Sequence, residues 1–198
     1  MNNSVVEHLQ LTTGIRQALR NNEFTLHYQP QFALGSGRIV GAEALIRWRH
    51  DTLGFIPPAK FIPVAEHSGL IHELGAWVLH EACSQAKHWQ TTGLGDLVIA
   101  VNVSPVQFRR DDIEREVATA LADTGLTPSC IELELTESLL LADSEHLCGV
   151  LKRLRGMGIQ FSIDDFGTGY SNLGYLSRFD VERIKFVKYF ERRMLDKF

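Results

Sequence analysis

The run Phe161-Ser162-Ile163-Asp164-Asp165-Phe166-Gly167-Thr168-Gly169-Tyr170 brings two adjacent carboxylates to the end of an apolar approach, with a glycine-punctuated turn directly behind them. That order predicts a buried strand that delivers acids into a cavity, followed by a loop able to approach a ligand closely. The other reading of the same residues is an Asx turn in which Asp165 caps a short helix near Ser171. Four further segments share the shape. Ile39–Arg47 carries Glu43, Leu97–Ser104 carries Asn102, Cys130–Glu137 carries Glu134, and Val181–Val187 carries Lys185. Asn102, Glu134 and Asp164 recur about every 30 residues, the length of a strand plus a helix. In a parallel barrel the strand C-termini converge on one face, and several strands contribute chemical groups there.

Glu43, Glu134, Asp164 and Asp165 gathered in one place would repel one another, at about 4 kcal/mol per pair at 4 Å in an effective dielectric of 20. A cation must share the site, or some of the acids must be protonated. Carboxylates and the Asn102 amide oxygen, with no His or Cys among them, suit Mg²⁺, Mn²⁺ or Ca²⁺ and argue against zinc. Two neighbouring Asp residues allow two ions, and such pairs activate water and stabilise the leaving oxygen in phosphoester hydrolysis. Lys185 on the next strand either holds that water and offsets charge, or forms a salt bridge inside the barrel. Arg47 stands four residues beyond Glu43 on the same strand face, ~13 Å along it. That is too far for the ion cluster and suits a phosphate of a long substrate; otherwise Arg47 is a solvated strand end. None of the eight His residues has metal-ligand spacing.

Alternating and helical periodicities place these groups on elements. Residues 1–12 are unpatterned and read as a loose lead-in, with Thr13 capping a helix that ends near Asn21-Asn22. Phe24–Leu34 and Arg38–Trp48 are β-rich runs joined by Gly35-Ser36-Gly37, which predicts a hairpin and therefore one antiparallel strand. Pro30 marks a strand edge or a bend. Residues 49–58 read as a loop, followed by a helical region broken near Pro63 and Gly69, with Leu70, Leu74, Trp77, Val78 and Ala82 at helical spacing. Strands over Leu97–Val101, Cys130–Thr136, the Asp164 run and Val181–Val187 alternate with helices. The expected fold is α/β: a TIM-like (β/α) barrel with one antiparallel strand, incomplete, with about six of eight strands.

The 198 residues are one domain's worth, and 44% hydrophobic with 22% charged residues is ordinary globular composition. A net charge of −4 offers no basic field for DNA or RNA. Three cysteines in apolar segments read as reduced core thiols. No apolar run is long enough to span a bilayer and no signal peptide is seen, so a cytoplasmic location is expected.

Val40-Gly41-Ala42-Glu43-Ala44-Leu45-Ile46-Arg47-Trp48 resembles the signature of the EAL domain, a family that hydrolyses the bacterial second messenger cyclic di-GMP to its linear dinucleotide. The resemblance continues through Tyr28-Gln29-Pro30, Val101-Asn102-Val103-Ser104, Glu134-Leu135-Thr136-Glu137 and Asp164-Asp165-Phe166-Gly167-Thr168-Gly169, over residues 14–185. It implies that Glu43, Asn102, Glu134 and Asp164 bind one metal ion and that Asp165 helps bind a second. Lys185 would contact the attacking water, Gln29 and Arg47 would meet the substrate, and Glu137 would hold the loop after the fifth strand. Mg²⁺ or Mn²⁺ is the expected cofactor, with Ca²⁺ as an inhibitor. Phe186-Val187 stand where the family has Ile-Asp. The seventh-strand Glu and eighth-strand Gln-Gly are absent, so residues 13–198 read as an EAL-like domain lacking its last two βα units. Impaired turnover and self-association through an open sheet edge are expected. The alternatives are a non-catalytic module that binds cyclic di-GMP or a protein, and a different metal-dependent barrel, such as an enolase-like enzyme with a lysine base.

Overall fold

A computed structural model gives the fold of the protein over residues 2–109, 112–140, 145–166 and 183–186. The chain opens with helix α1 (Asn2–Asn21), whose stripe Leu11, Ile15 and Ala18 is buried. A loose segment up to residue 12, with Thr13 as cap, is therefore not what forms. Leu11 extends the apolar stripe one turn earlier, and Gly14 lets the Trp48 ring lie against the helix.

Strands β1 (Phe24–Phe32) and β2 (Ile39–His50) form the expected antiparallel hairpin, in register from Phe24↔Trp48 to Gln31↔Gly41, with a shift before the last pair, Phe32↔Ile39. Its turn needs Gly37 in the left-handed region, at φ 64°. Pro30 sits within β1, which has β2 as its one neighbour in the described sheet, so the missing N–H costs no ladder bond. Residues 49–58 are not wholly loop. β3 (Gly54–Ile56) folds back on the end of β2 and pairs Ile56 with Trp48, burying both.

Helix α2 (Pro58–Ser68) starts with a proline at a position that has no N–H partner to lose, and runs through Pro63 without breaking. Buried Phe61, Val64 and Ala65 pack it against Phe24 and Trp48, and that packing outweighs the lost backbone bond. It stops at Gly69, φ 76°. Helix α3 (Ile71–Thr91) buries Ile71, Leu74, Leu79, Ala82, Cys83 and Ala86; Trp77 and Val78 of the expected stripe are half-buried.

Then follow β4 (Val98–Asn102), a short 3₁₀ turn (Pro105–Arg109), α4 (Asp112–Thr124), β5 (Ile131–Thr136), α5 (Glu137–Leu140), α6 (Glu145–Gly156), β6 (Gln160–Phe166) and β7 (Arg183–Phe186). The sheet order is β1-β2-β4-β5-β6-β7 with β3 beside β2, and every pairing from β2 through β4 to β7 is parallel. This is a TIM-like arrangement in which β1 and the short β3 run against the parallel set, and the described sheet is open. The Gly167–Tyr170 loop, the alternative Asx turn near Ser171 and the ends of the expected Val181–Val187 strand lie outside the described residues.

Two apolar clusters hold the elements. One lies between the parallel strands and α3, α4 and α6, with Ile99, Val101, Ile131, Leu133, Leu135, Phe161 and Ile163 on the helix-facing side. The other gathers α1, α2, Phe24, Trp48 and Ile56. Strand β2 serves both, through Ala42 and Ala44 in one and Trp48 in the other. Alternation then sends Glu43, Ala100, Asn102, Glu132, Glu134, Ser162 and Asp164 to the opposite face of the sheet. Among the described residues no helix is long and apolar enough to cross a membrane.

Candidate active site

The parallel strands bring the predicted residues to one end of the sheet, each by its register. Gln29 stands opposite Glu43, Glu43 opposite Ala100, Asn102 opposite Glu134, and Thr136 opposite Asp164. Neighbouring strands are ~4.8 Å apart, so each pair is adjacent. Small side chains lie beneath: Ala100 below Asn102, and Ser162, whose buried hydroxyl makes no hydrogen bond among the described residues, below Asp164.

The Asn102 carboxamide donates from Nδ2 to Glu43 Oε1 at 2.9 Å, tying β2 to β4. Glu134 is 1% exposed, whereas Glu43 and Asp164 are half-buried and Asn102 is open. A buried carboxylate keeps its charge only with compensation. An oxygen-preferring divalent ion fits this donor set, once the Asn102 amide turns its oxygen inward. Glu43 and Asn102 touch, with Glu134 beside them. Among the described residues no three His, Cys, Asp or Glu groups are already drawn together around one point.

Between Ile163↔Ile184 and Phe166↔Phe186 the β6–β7 register shifts, placing Asp164 and Asp165 against Lys185 alone. Irregularities of this kind re-aim strand residues and favour sites. For Asp165 and Lys185 the backbone is described and the side chains lie outside what is described. Glu137 opens α5 directly after β5 and is buried at 7% exposure.

Beyond Ala44↔Val101 strands β2 and β4 part, opening a crevice of about 280 Å³ lined by Leu45, Arg47, Glu66, Asn102, Ser104 and Thr136, among others. Arg47 is half-buried on its wall and donates from Nη1 to the Ile46 carbonyl at 2.9 Å. Among the described residues it has no ion-pair partner, so its charge can meet an incoming anion.

Sequence reasoning missed four buried or half-buried polar groups here. Glu132 is wholly buried one layer below Glu134, and the alternation of Ile131-Glu132-Leu133-Glu134 was the signal for it. Glu66, Ser104 and Gln107 form a hydrogen-bonded cluster at the end of β4, and only Ser104 belonged to a quoted motif.

The EAL domain family's sequence model matches residues 13–197. The chain is 44% identical over 185 residues to the bifunctional diguanylate cyclase/cyclic di-GMP phosphodiesterase MucR of Pseudomonas aeruginosa, covering 93% of this chain and 27% of that protein. It is 42% identical over 179 residues to the cyclic di-GMP phosphodiesterase NbdA of the same organism, covering 90% and 23%. The chain thus spans about a quarter of the length of these curated relatives. Among solved structures, the PaMucR phosphodiesterase in complex with c-di-GMP superposes with a TM-score of 0.87 at 42% identity, covering 94% of this chain and 75% of that one. The EAL enzyme Bd1971, in a form bound to cAMP and cyclic di-GMP, gives 0.87 at 30% identity, covering 98% and 54%. The chain belongs to the EAL domain family.

Proposed function

We propose that the domain hydrolyses cyclic di-GMP to the linear dinucleotide in a divalent-metal-dependent reaction. The observation that carries this reading is the Glu43–Asn102 contact at 2.9 Å, with Glu134 next in register, at the strand ends of an EAL-family sheet. Relatives named as cyclic di-GMP phosphodiesterases support the substrate.

Glu43, Asn102, Glu134 and Asp164 would hold one Mg²⁺ or Mn²⁺, and Asp165 would help hold a second. Bound ions supply Lewis acidity to a phosphoryl oxygen and lower the pKa of water. Water attacks phosphorus in one of the two phosphodiesters, a P–O bond to ribose breaks, and the ring opens. Arg47, on the crevice wall, holds a phosphate of the substrate by a charge-assisted hydrogen bond. Gln29, opposite Glu43, orients the nucleotide, and Lys185 holds the attacking water. Glu137, buried at the start of α5, fixes the loop behind β5.

The test is incubation of the 1–198 chain with cyclic di-GMP and Mn²⁺, with chromatography of the product. Linear dinucleotide should form, and Asp164→Asn should abolish both product and calorimetric Mn²⁺ binding. Unchanged Mn²⁺ binding in that variant removes the metal-site assignment. The open described sheet, in which β1 and β7 each have one neighbour, favours a second reading of binding without turnover. Tight nucleotide binding with no product would select it. Such edges are templates for pairing with another chain, so the 1–198 chain is also expected to self-associate, as sedimentation would show.

A further inference from the structure

Strand β4 loses its β2 neighbour just before the residue that matters most on it. The β2–β4 register ends at Ala44↔Val101, so Asn102 is laddered on one side only, to Glu134 of β5. On the other side lies the crevice. A ligating side chain has to be held to within about 0.5 Å, and the backbone ladder supplies only half of that support here.

Side chains supply the remainder. Ser104 Oγ donates to Glu66 Oε1 of α2 at 2.6 Å and accepts the Val106 N–H at 3.2 Å. Gln107 Oε1 accepts the Ser104 N–H at 3.0 Å. Gln107 is 2% exposed, and its amide lies against Gly75 of α3, where the absence of a Cβ leaves room for it. Two residues past Asn102, the chain is therefore gripped by groups from α2 and from the 3₁₀ turn, the latter seated on α3. Glu66 and Ser104 both line the crevice that separates β2 from β4.

We propose that Glu66 and Gln107 are positioning residues: acting through Ser104, they hold the end of β4 on its open side and so fix the Asn102 carboxamide that faces Glu43. Metal affinity, the second measurement below, rests on the ion-binding reading given above; the first does not.

The experiment uses the full 1–198 chain. In the metal-free protein, the Asn102 side-chain NH₂ resonances, assigned with Asn102→Asp, report the contact to Glu43. Glu66→Ala should shift or broaden them, and Glu66→Gln, which keeps the acceptor for Ser104, should restore them. In Mn²⁺ calorimetry Glu66→Ala should bind about tenfold more weakly, the size expected when a residue that orients a metal ligand is lost, with Glu66→Gln within about twofold of the parent. Unmoved Asn102 resonances in Glu66→Ala overturn the proposal, as does an equal loss in Glu66→Ala and Glu66→Gln. Should Glu66→Ala fail to fold, Ser104→Ala removes the same hydrogen bond and must give the same shift. A parent chain that binds no Mn²⁺ would defeat the ion reading, while the carboxamide signals would still decide the positioning role.

Discussion

Alanine at Gly75 ought to stabilise the protein if only the helix is considered. Gly75 lies inside α3, where Gly→Ala is worth about 1 kcal/mol in propensity. The structure reverses that expectation. A Cβ at Gly75 would overlap the Gln107 amide nitrogen and sit 2.9 Å from Cδ and 3.3 Å from Oε1. Gln107 cannot swing into solvent, being 2% exposed and held to the Ser104 N–H at 3.0 Å. If the amide moves, a buried N–H loses its partner, at about 1–3 kcal/mol; if it stays, overpacking costs a similar amount. After subtraction of the helix gain, Gly75→Ala should destabilise by up to about 2 kcal/mol. Denaturant unfolding measures this as a lowered midpoint at constant slope. Gln107→Ala removes the obstacle, so in that background Gly75→Ala should stabilise by up to about 1 kcal/mol, giving a coupling of about 1–3 kcal/mol. A Gly75→Ala chain more stable than its parent would refute the reasoning, because the amide would then have room to spare.

Arg47→Ala should raise KM for cyclic di-GMP about tenfold or more and leave Mn²⁺ affinity unchanged, since Arg47 lies ~13 Å along β2 from Glu43; an equal fall in metal affinity on calorimetry counts against this. Burial holds the Glu116 carboxyl above its usual range. The folded state therefore keeps that proton to higher pH than the unfolded chain, and stability is lost as pH rises through the folded pKa. Glu116→Gln should accordingly gain stability over its parent at neutral pH, with the advantage gone below the ordinary carboxylate value of ~4.3; a difference that does not change with pH would contradict it. Cys83 is fully buried, and burial pushes its thiol up to about 12. It should not react with a thiol reagent until the protein unfolds.

The site was legible because its residues obey a period that survives any detail of packing. Glu43, Asn102, Glu134 and Asp164 recur on successive strands, and parallel pairing then brings them to one end of the sheet, with Asn102 opposite Glu134 and in contact with Glu43. The hairpin was legible from Gly35-Ser36-Gly37, since few other residues close so short a link. The reading went astray where tertiary contacts overrode local signals. Pro63 reads as a helix breaker, yet Phe61, Val64 and Ala65 hold α2 together across it. Residues 54–56 read as loop because Gly54 and Pro57 flank only one apolar pair, and Ile56 becomes a strand residue because Trp48 lies opposite. Glu66 and Gln107 have no local signature. Their meaning depends on where β2 and β4 part, which is a property of two strands and of neither alone.

One strand belongs to both apolar clusters, and this has a mechanical consequence. With Ala42 and Ala44 anchored in one interior and Trp48 in the other, β2 works as a beam clamped at two points. The span between the clamps, Leu45–Arg47, borders the crevice and has no parallel neighbour to brace it. A relative displacement of the α1–α2 layer against the main sheet would be shared between this span, the β1 residues paired with it, and α3, which also joins the two interiors. Glu43 lies at one end of it and Arg47 at the other, so the distance between the ion-facing acid and the anion-facing guanidinium is set by how stiffly two separate interiors are joined.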